Sequence, residues 1–67
     1  MNFGKNIKEA RKQCRLSQKQ VADKLGIYQS NVSDWENDVS RPEYENLIEL
    51  SKLFDISIDE LLTGKTF

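Results

Sequence analysis

The sequence predicts an all-α chain of five short helices, and three observations carry that expectation. Apolar residues recur at helical spacing, as with Phe3, Ile7, Ala10 and Cys14 at i, i+4, i+7 and i+11. Ser17 with Gln20, and Ser57 with Glu60, are two capping boxes, each supplying a side-chain acceptor and its reciprocal partner at a helix start. No segment alternates apolar and polar residues with period two, so no sheet is expected. At 67 residues the chain is near the lower size limit for folding alone, and residues 1–67 read as a single domain.

In the first helix the stripe from Phe3 to Cys14 is the core face, with Cys14 a small buried hydrophobe at the helix end. Lys5, Lys8, Arg11, Lys12 and Arg15 lie off that stripe and, Arg11 apart, are read as solvated. The second helix starts at the Ser17 cap, puts Val21, Ala22 and Leu25 on one face, and stops at Gly26, which adopts the left-handed conformation without strain. Ile27 fills the turn, and a third helix follows with Val32 and Trp35 pointing inward. After the polar loop ENDVSRP, Pro42 suits the first turn of a fourth helix. That helix is apolar over a wide arc through Leu47, Ile48, Leu50, Ser51, Leu53 and Phe54. Asp55-Ile56-Ser57 breaks it, and the Ser57–Glu60 box opens a short fifth helix through Leu61 and Leu62 that Gly64 ends.

Composition narrows the function classes. The 37% hydrophobic content supports a small core, and 31% charge with that core argues against disorder. A lone cysteine forms no internal disulfide, which suits a reducing cytoplasm. No apolar run is long enough for a signal peptide or a membrane span. The expected setting is therefore cytoplasmic, with no membrane contact. There is no His, no thiol with a partner base, no Gly-rich phosphate loop and no cluster at metal-ligand spacing. No enzyme, cofactor, metal or small-molecule ligand is expected. The formal charge is −1, yet it is unevenly distributed. Through Arg41 there are 8 basic and 5 acidic residues, a net of +3, and from Pro42 onward 2 basic and 6 acidic, a net of −4. A basic front and an acidic back orient a domain in the field of a polyanion without giving high non-specific affinity.

The stretch SQKQVADKLGIYQSNVSDWE places two short helices across a tight Gly-centred turn. That is a helix-turn-helix, whose second helix can enter a DNA major groove. With IKEAR before it, and RPEYENLIELSKLF and ISIDELLTG after it, the chain resembles the lambda-repressor-like helix-turn-helix domains of Cro/C1 (XRE) type over roughly Ile7 to Gly64. The resemblance implies a compact five-helix fold, double-stranded DNA as partner, and a reading helix from about Gln29 to Glu36.

By that resemblance Gln29, Ser30 and Asp34 reach base edges, with Asn31 and Ser33 nearby. Gln29 can present its amide bidentately to adenine, and Ser30 can contact either base type. Asp34 either accepts a hydrogen bond from cytosine N4 or points aside and weakens unwanted binding. Gln18 resembles the family's bracing glutamine, expected to bond both the Gln29 side chain and a phosphate. Asn37 and Arg41 resemble backbone-contacting positions, followed by Lys19 and Tyr28, and such contacts set register without reading sequence. For Arg41 and Lys19 the competing reading is a solvated surface cation. Arg11 and Glu36 resemble a family ion pair that ties the first helix to the end of the reading helix.

Two positions depart from the family pattern. Tyr28 stands at a cap position that usually carries a small polar residue, and its phenol cannot bond the following N–H groups. Asp38 stands where Gly is frequent, and tolerates a left-handed backbone less well.

One reading helix spans only a few base pairs, too little for selectivity, and the resemblance implies the family's usual solution, a two-fold homodimer on an inverted repeat. Tyr44, Leu62 and Phe67 are its expected interface, against the alternative that Leu61 and Leu62 both complete the monomer core. The function expected is a sequence-specific transcriptional regulator, and a repressor since no segment reads as an activation domain. The competing function is a protein-interaction module of the same fold, antitoxin-like or an adaptor, motivated by Asp34 and the acidic total charge.

Overall fold

The computed structural model describes residues 3–64, within which the chain forms five α-helices and no strands. They are α1 (Phe3–Gln13), α2 (Gln18–Leu25), α3 (Gln29–Glu36), α4 (Tyr44–Phe54) and α5 (Ile58–Thr63). Both capping boxes are present. Ser17 Oγ accepts from the Gln20 N–H and Gln20 Oε1 from the Ser17 N–H, and Ser57 and Glu60 repeat the exchange.

Four helices stop by one device. Each puts one residue in the left-handed region and lets the next N–H reach back five residues to a free carbonyl. The pivots are Arg15 (φ 58°), Gly26 (φ 71°), Asp38 (φ 58°) and Asp55 (φ 55°). The returning bonds are Leu16 to Arg11, Ile27 to Ala22, Val39 to Asp34 and Ile56 to Ser51, at 2.8–3.1 Å. Leu16, Ile27 and Ile56 fold under the helix they end and pack against the core. Val39 does not, and is 72% exposed.

Every helix contributes to one core of Phe3, Ile7, Val21, Ala22, Val32, Trp35, Leu50, Phe54 and Leu61. Burying each large apolar side chain is worth about 1.5–3 kcal/mol, so the inward faces hold the helices in place. Leu61 completes this core, whereas Leu62 is half-buried against it.

Two expectations are corrected here. Cys14 is exposed, because α1 ends at Gln13 and the chain is already turning; its Sγ lies 3.8 Å from the Phe54 carbonyl oxygen. Pro42 lies before α4 rather than in its first turn, with Glu43 as the residue that precedes the helix. Pro42 restricts the residue before it and helps to keep the loop extended.

The start of α1 is set against the end of α3 at backbone distance. A Cβ on Gly4 would stand 2.5 Å from the Glu36 carbonyl oxygen and 2.7 Å from that of Trp35, so only glycine fits. The Gly4 N–H, one of the donors left over at a helix start, goes to Asp38 Oδ1 at 3.0 Å. Asp38 thus occupies a left-handed position and uses its carboxylate to hold α1 in place.

Candidate nucleic-acid interface

The inner face of α3 is fixed at three levels. Val32 and Trp35 are buried in the core. Below them Glu36, whose side chain is 3% exposed, takes two hydrogen bonds from Arg11, from Nε at 2.6 Å and from Nη2 at 3.1 Å. The Arg11 side chain is 12% exposed, and its Nη1 donates to the Leu16 carbonyl at 2.9 Å. Gln18 completes the network, its Nε2 donating to Glu36 Oε1 at 3.1 Å. One carboxylate therefore ties α1, α2 and α3 together, and paired bonds of this kind define an angle as well as a distance.

This arrangement gives Gln18 a different partner from the one expected. Its amide braces Glu36, and no hydrogen bond joins it to Gln29 among the described residues. A buried carboxylate is a stronger acceptor than a solvated amide, which accounts for the choice. Gln18 still links α2 to α3, but at the far end of that helix.

The outer face of α3 carries the other candidates. Gln29, Ser30 and Asn31 are exposed, while Ser33 and Asp34 are half-buried. Ser30, Ser33, Asp34 and Asn37 follow at i, i+3, i+4 and i+7 and form one stripe. Asn37 ends the helix, its Nδ2 donating to the Ser33 carbonyl (2.9 Å) and hydroxyl (3.3 Å). The Asp34 carbonyl accepts the returning bonds of Val39 and Ser40, so the backbone here is anchored to the following loop. Asn31 lies on the other flank, four residues before Trp35. Tyr28 precedes the helix with extended backbone, makes no capping bond and is 79% exposed.

Cations flank α3 rather than lie on it, since QSNVSDWE holds none. Lys19 pairs with Asp23 on the surface of α2 at 3.5 Å. Arg41 stacks on the Phe3 ring, with its Cζ 5.2 Å from the ring centroid. Of the expected interface residues, Tyr44 is 70% exposed and Leu62 half-buried, and Phe67 lies outside the described residues. Sequence reasoning missed Val39, which only the pattern of the other three helix ends marks as unusual. It also missed Phe3 as the support of Arg41, two residues 38 positions apart with no local signal linking them. No described helix is long and apolar enough to cross a membrane.

Comparison with known proteins agrees with this geometry. The helix-turn-helix family profile matches residues 7–61. The chain is 41% identical over 64 residues to the uncharacterized HTH-type transcriptional regulator YqaE of Bacillus subtilis (strain 168), covering 96% of this chain and 55% of that protein. It is 42% identical over 62 residues to the HTH-type transcriptional regulator ImmR of the same organism, covering 92% and 49%. The chain thus spans about half the length of the curated relatives it matches. Its fold matches the crystal structure of the P22 c2 repressor in complex with the synthetic operator 9T with a TM-score of 0.89 at 32% identity, covering 97% of this chain and 98% of that one.

Proposed function

The chain belongs to the helix-turn-helix family, of Cro/C1 (XRE) type, and we propose that residues 1–67 form one domain that binds double-stranded DNA in a sequence-specific manner and represses transcription in the cytoplasm. The observation that carries this reading is the state of α3: its inner face is locked by Val32, Trp35 and Glu36, and Gln29, Ser30 and Asn31 are left exposed on a fold shared with a repressor–operator complex. A rigid helix with exposed amides is what base-edge recognition in a major groove requires.

In this reading Gln29 reads adenine, Ser30 and Asn31 contact neighbouring base edges, and the half-buried Ser33 and Asp34 border the groove. Arg41, Asn37, Lys19 and Tyr28 approach phosphates, as does the backbone at Gln18. Two copies bind an inverted repeat, with Tyr44, Val39 and the remaining exposed surface of Leu62 at or near the contact together with Phe67. Val39 and Tyr44 support that placement because both are large apolar side chains left in solvent.

Selection of duplexes from a random library near physiological salt tests the proposal. An enriched inverted repeat with half-sites about 34–36 Å apart is expected. Gln29→Ala should lower affinity by about 1–3 kcal/mol and relax the preference at one base position in each half-site. A folded chain that enriches nothing and fails to bind any duplex even at low salt, where phosphate attraction is strongest, refutes the proposal in favour of a protein partner.

A further inference from the structure

We propose that Phe3 is a positioning residue for DNA binding, acting through Arg41: its ring holds the guanidinium where it meets a phosphate beside the reading helix. The inference rests on the DNA-binding reading and adds to it a residue that touches no DNA.

Three features of the structure support it. First, Arg41 lies within cation–π range of a ring that is itself immobile, since Phe3 is only 1% exposed and packed in the core. Second, the ring has no freedom to follow the arginine. Gly4, the next residue, is wedged against the Glu36 and Trp35 carbonyls and bonded to Asp38 Oδ1, so the start of α1 and the loop carrying Arg41 are tied together. Third, the guanidinium enters no ion pair among the described residues, which leaves its N–H groups for an external anion. It borders a hollow shared with Asn31 on α3, Ser40, Glu43 and Asn46. Arg41 therefore sits next to the exposed face of the reading helix. Glu43 is the one carboxylate lining that hollow, and it forms no ion pair with Arg41.

An arginine on a flexible loop loses rotamer entropy on meeting a phosphate, whereas one already lying on a fixed ring loses less. The ring thus strengthens a contact it does not make. The alternative is that the Arg41 stem merely shields Phe3 from water. The two differ in what happens when both residues are changed.

The test uses the whole chain, made by chemical synthesis with pentafluorophenylalanine in place of Phe3. That side chain has nearly the shape of Phe, so the core is kept, but its ring face repels cations. Affinity is measured for a selected operator and for a random duplex, in the native and Arg41→Ala backgrounds. Arg41→Ala alone should weaken both duplexes about equally, with the salt dependence reduced by about one phosphate. Fluorination should weaken both by about two- to fivefold in the native background and change nothing further once Arg41 is Ala. An equal loss in both backgrounds, no loss in either, or a loss confined to the operator overturns the proposal while the DNA-binding reading stands. A folded native chain that binds neither duplex overturns both.

Discussion

The Arg11–Glu36 pair sits at the centre of the molecule's architecture, and a double-mutant cycle measures it. Arg11→Met leaves a carboxylate that is 3% exposed with the Gln18 amide as its remaining partner. Glu36→Leu leaves a guanidinium that is 12% exposed and bonded only to the Leu16 carbonyl. Breaking one side of a buried pair costs about 3–5 kcal/mol, because the other charge stays behind unpaired. At roughly 0.05–0.15 kcal/mol per residue the whole chain is stable by only about 3–10 kcal/mol. Each single variant should therefore be close to unfolding at room temperature. The double variant should be far more stable than the two losses summed, since packed apolar side chains of similar size replace the pair with little or no net loss. Urea unfolding followed by Trp35 fluorescence suits the measurement, because Trp35 is the only tryptophan, is buried and lies one residue from Glu36. A coupling energy of about 3 kcal/mol or more is expected. A coupling under about 1 kcal/mol, the range of exposed ion pairs, would refute the view that this carboxylate fixes the three helices.

Further expectations concern the same region and the helix ends. Gly4→Ala places a methyl group 2.5 Å from the Glu36 carbonyl oxygen, against backbone that cannot step aside. It should destabilise by about 1–3 kcal/mol, seen as a lower urea midpoint with an unchanged slope. Asp55 and Asp38 share a left-handed backbone but differ in what the side chain does. Asp55→Gly relieves the conformational cost and should raise the melting temperature by a few degrees, for a gain of up to about 1 kcal/mol. Asp38→Gly gains the same relief but loses the bond to the Gly4 N–H, so no net rise is expected; equal rises in both would show that bond to be worthless. Ser17→Ala removes one half of a reciprocal cap and should cost about 1 kcal/mol of unfolding free energy.

Much of the fold is legible in the sequence because its signals act over a few residues. The capping boxes at Ser17 and Ser57, the stop at Gly26 and the inward stripe through Val32 and Trp35 each involve side chains and backbone within about one helical turn. The helix from Gln29 to Glu36 begins and ends where the family resemblance puts it. Local signals also mislead where a helix ends. The stripe ran on through Cys14, but α1 stops one residue earlier and leaves that thiol exposed. Pro42 fitted a helix start that in fact lies two residues later.

What only the tertiary structure decided are contacts between residues far apart in the chain. Asp38 looked like a strained substitute for glycine and proves to be an anchor for Gly4, 34 residues away. Gln18 turns to Glu36, 18 residues away, and Arg41 comes to rest on Phe3. Val39 is left in solvent while its counterparts at three other helix ends are covered. Apart from the helix ends at Cys14 and Pro42, sequence alone determined which residues form helices and which faces turn inward, since hydrogen bonds and side chains one turn apart settle both. It could not determine those partners, because they depend on how closely and at what angle the helices cross.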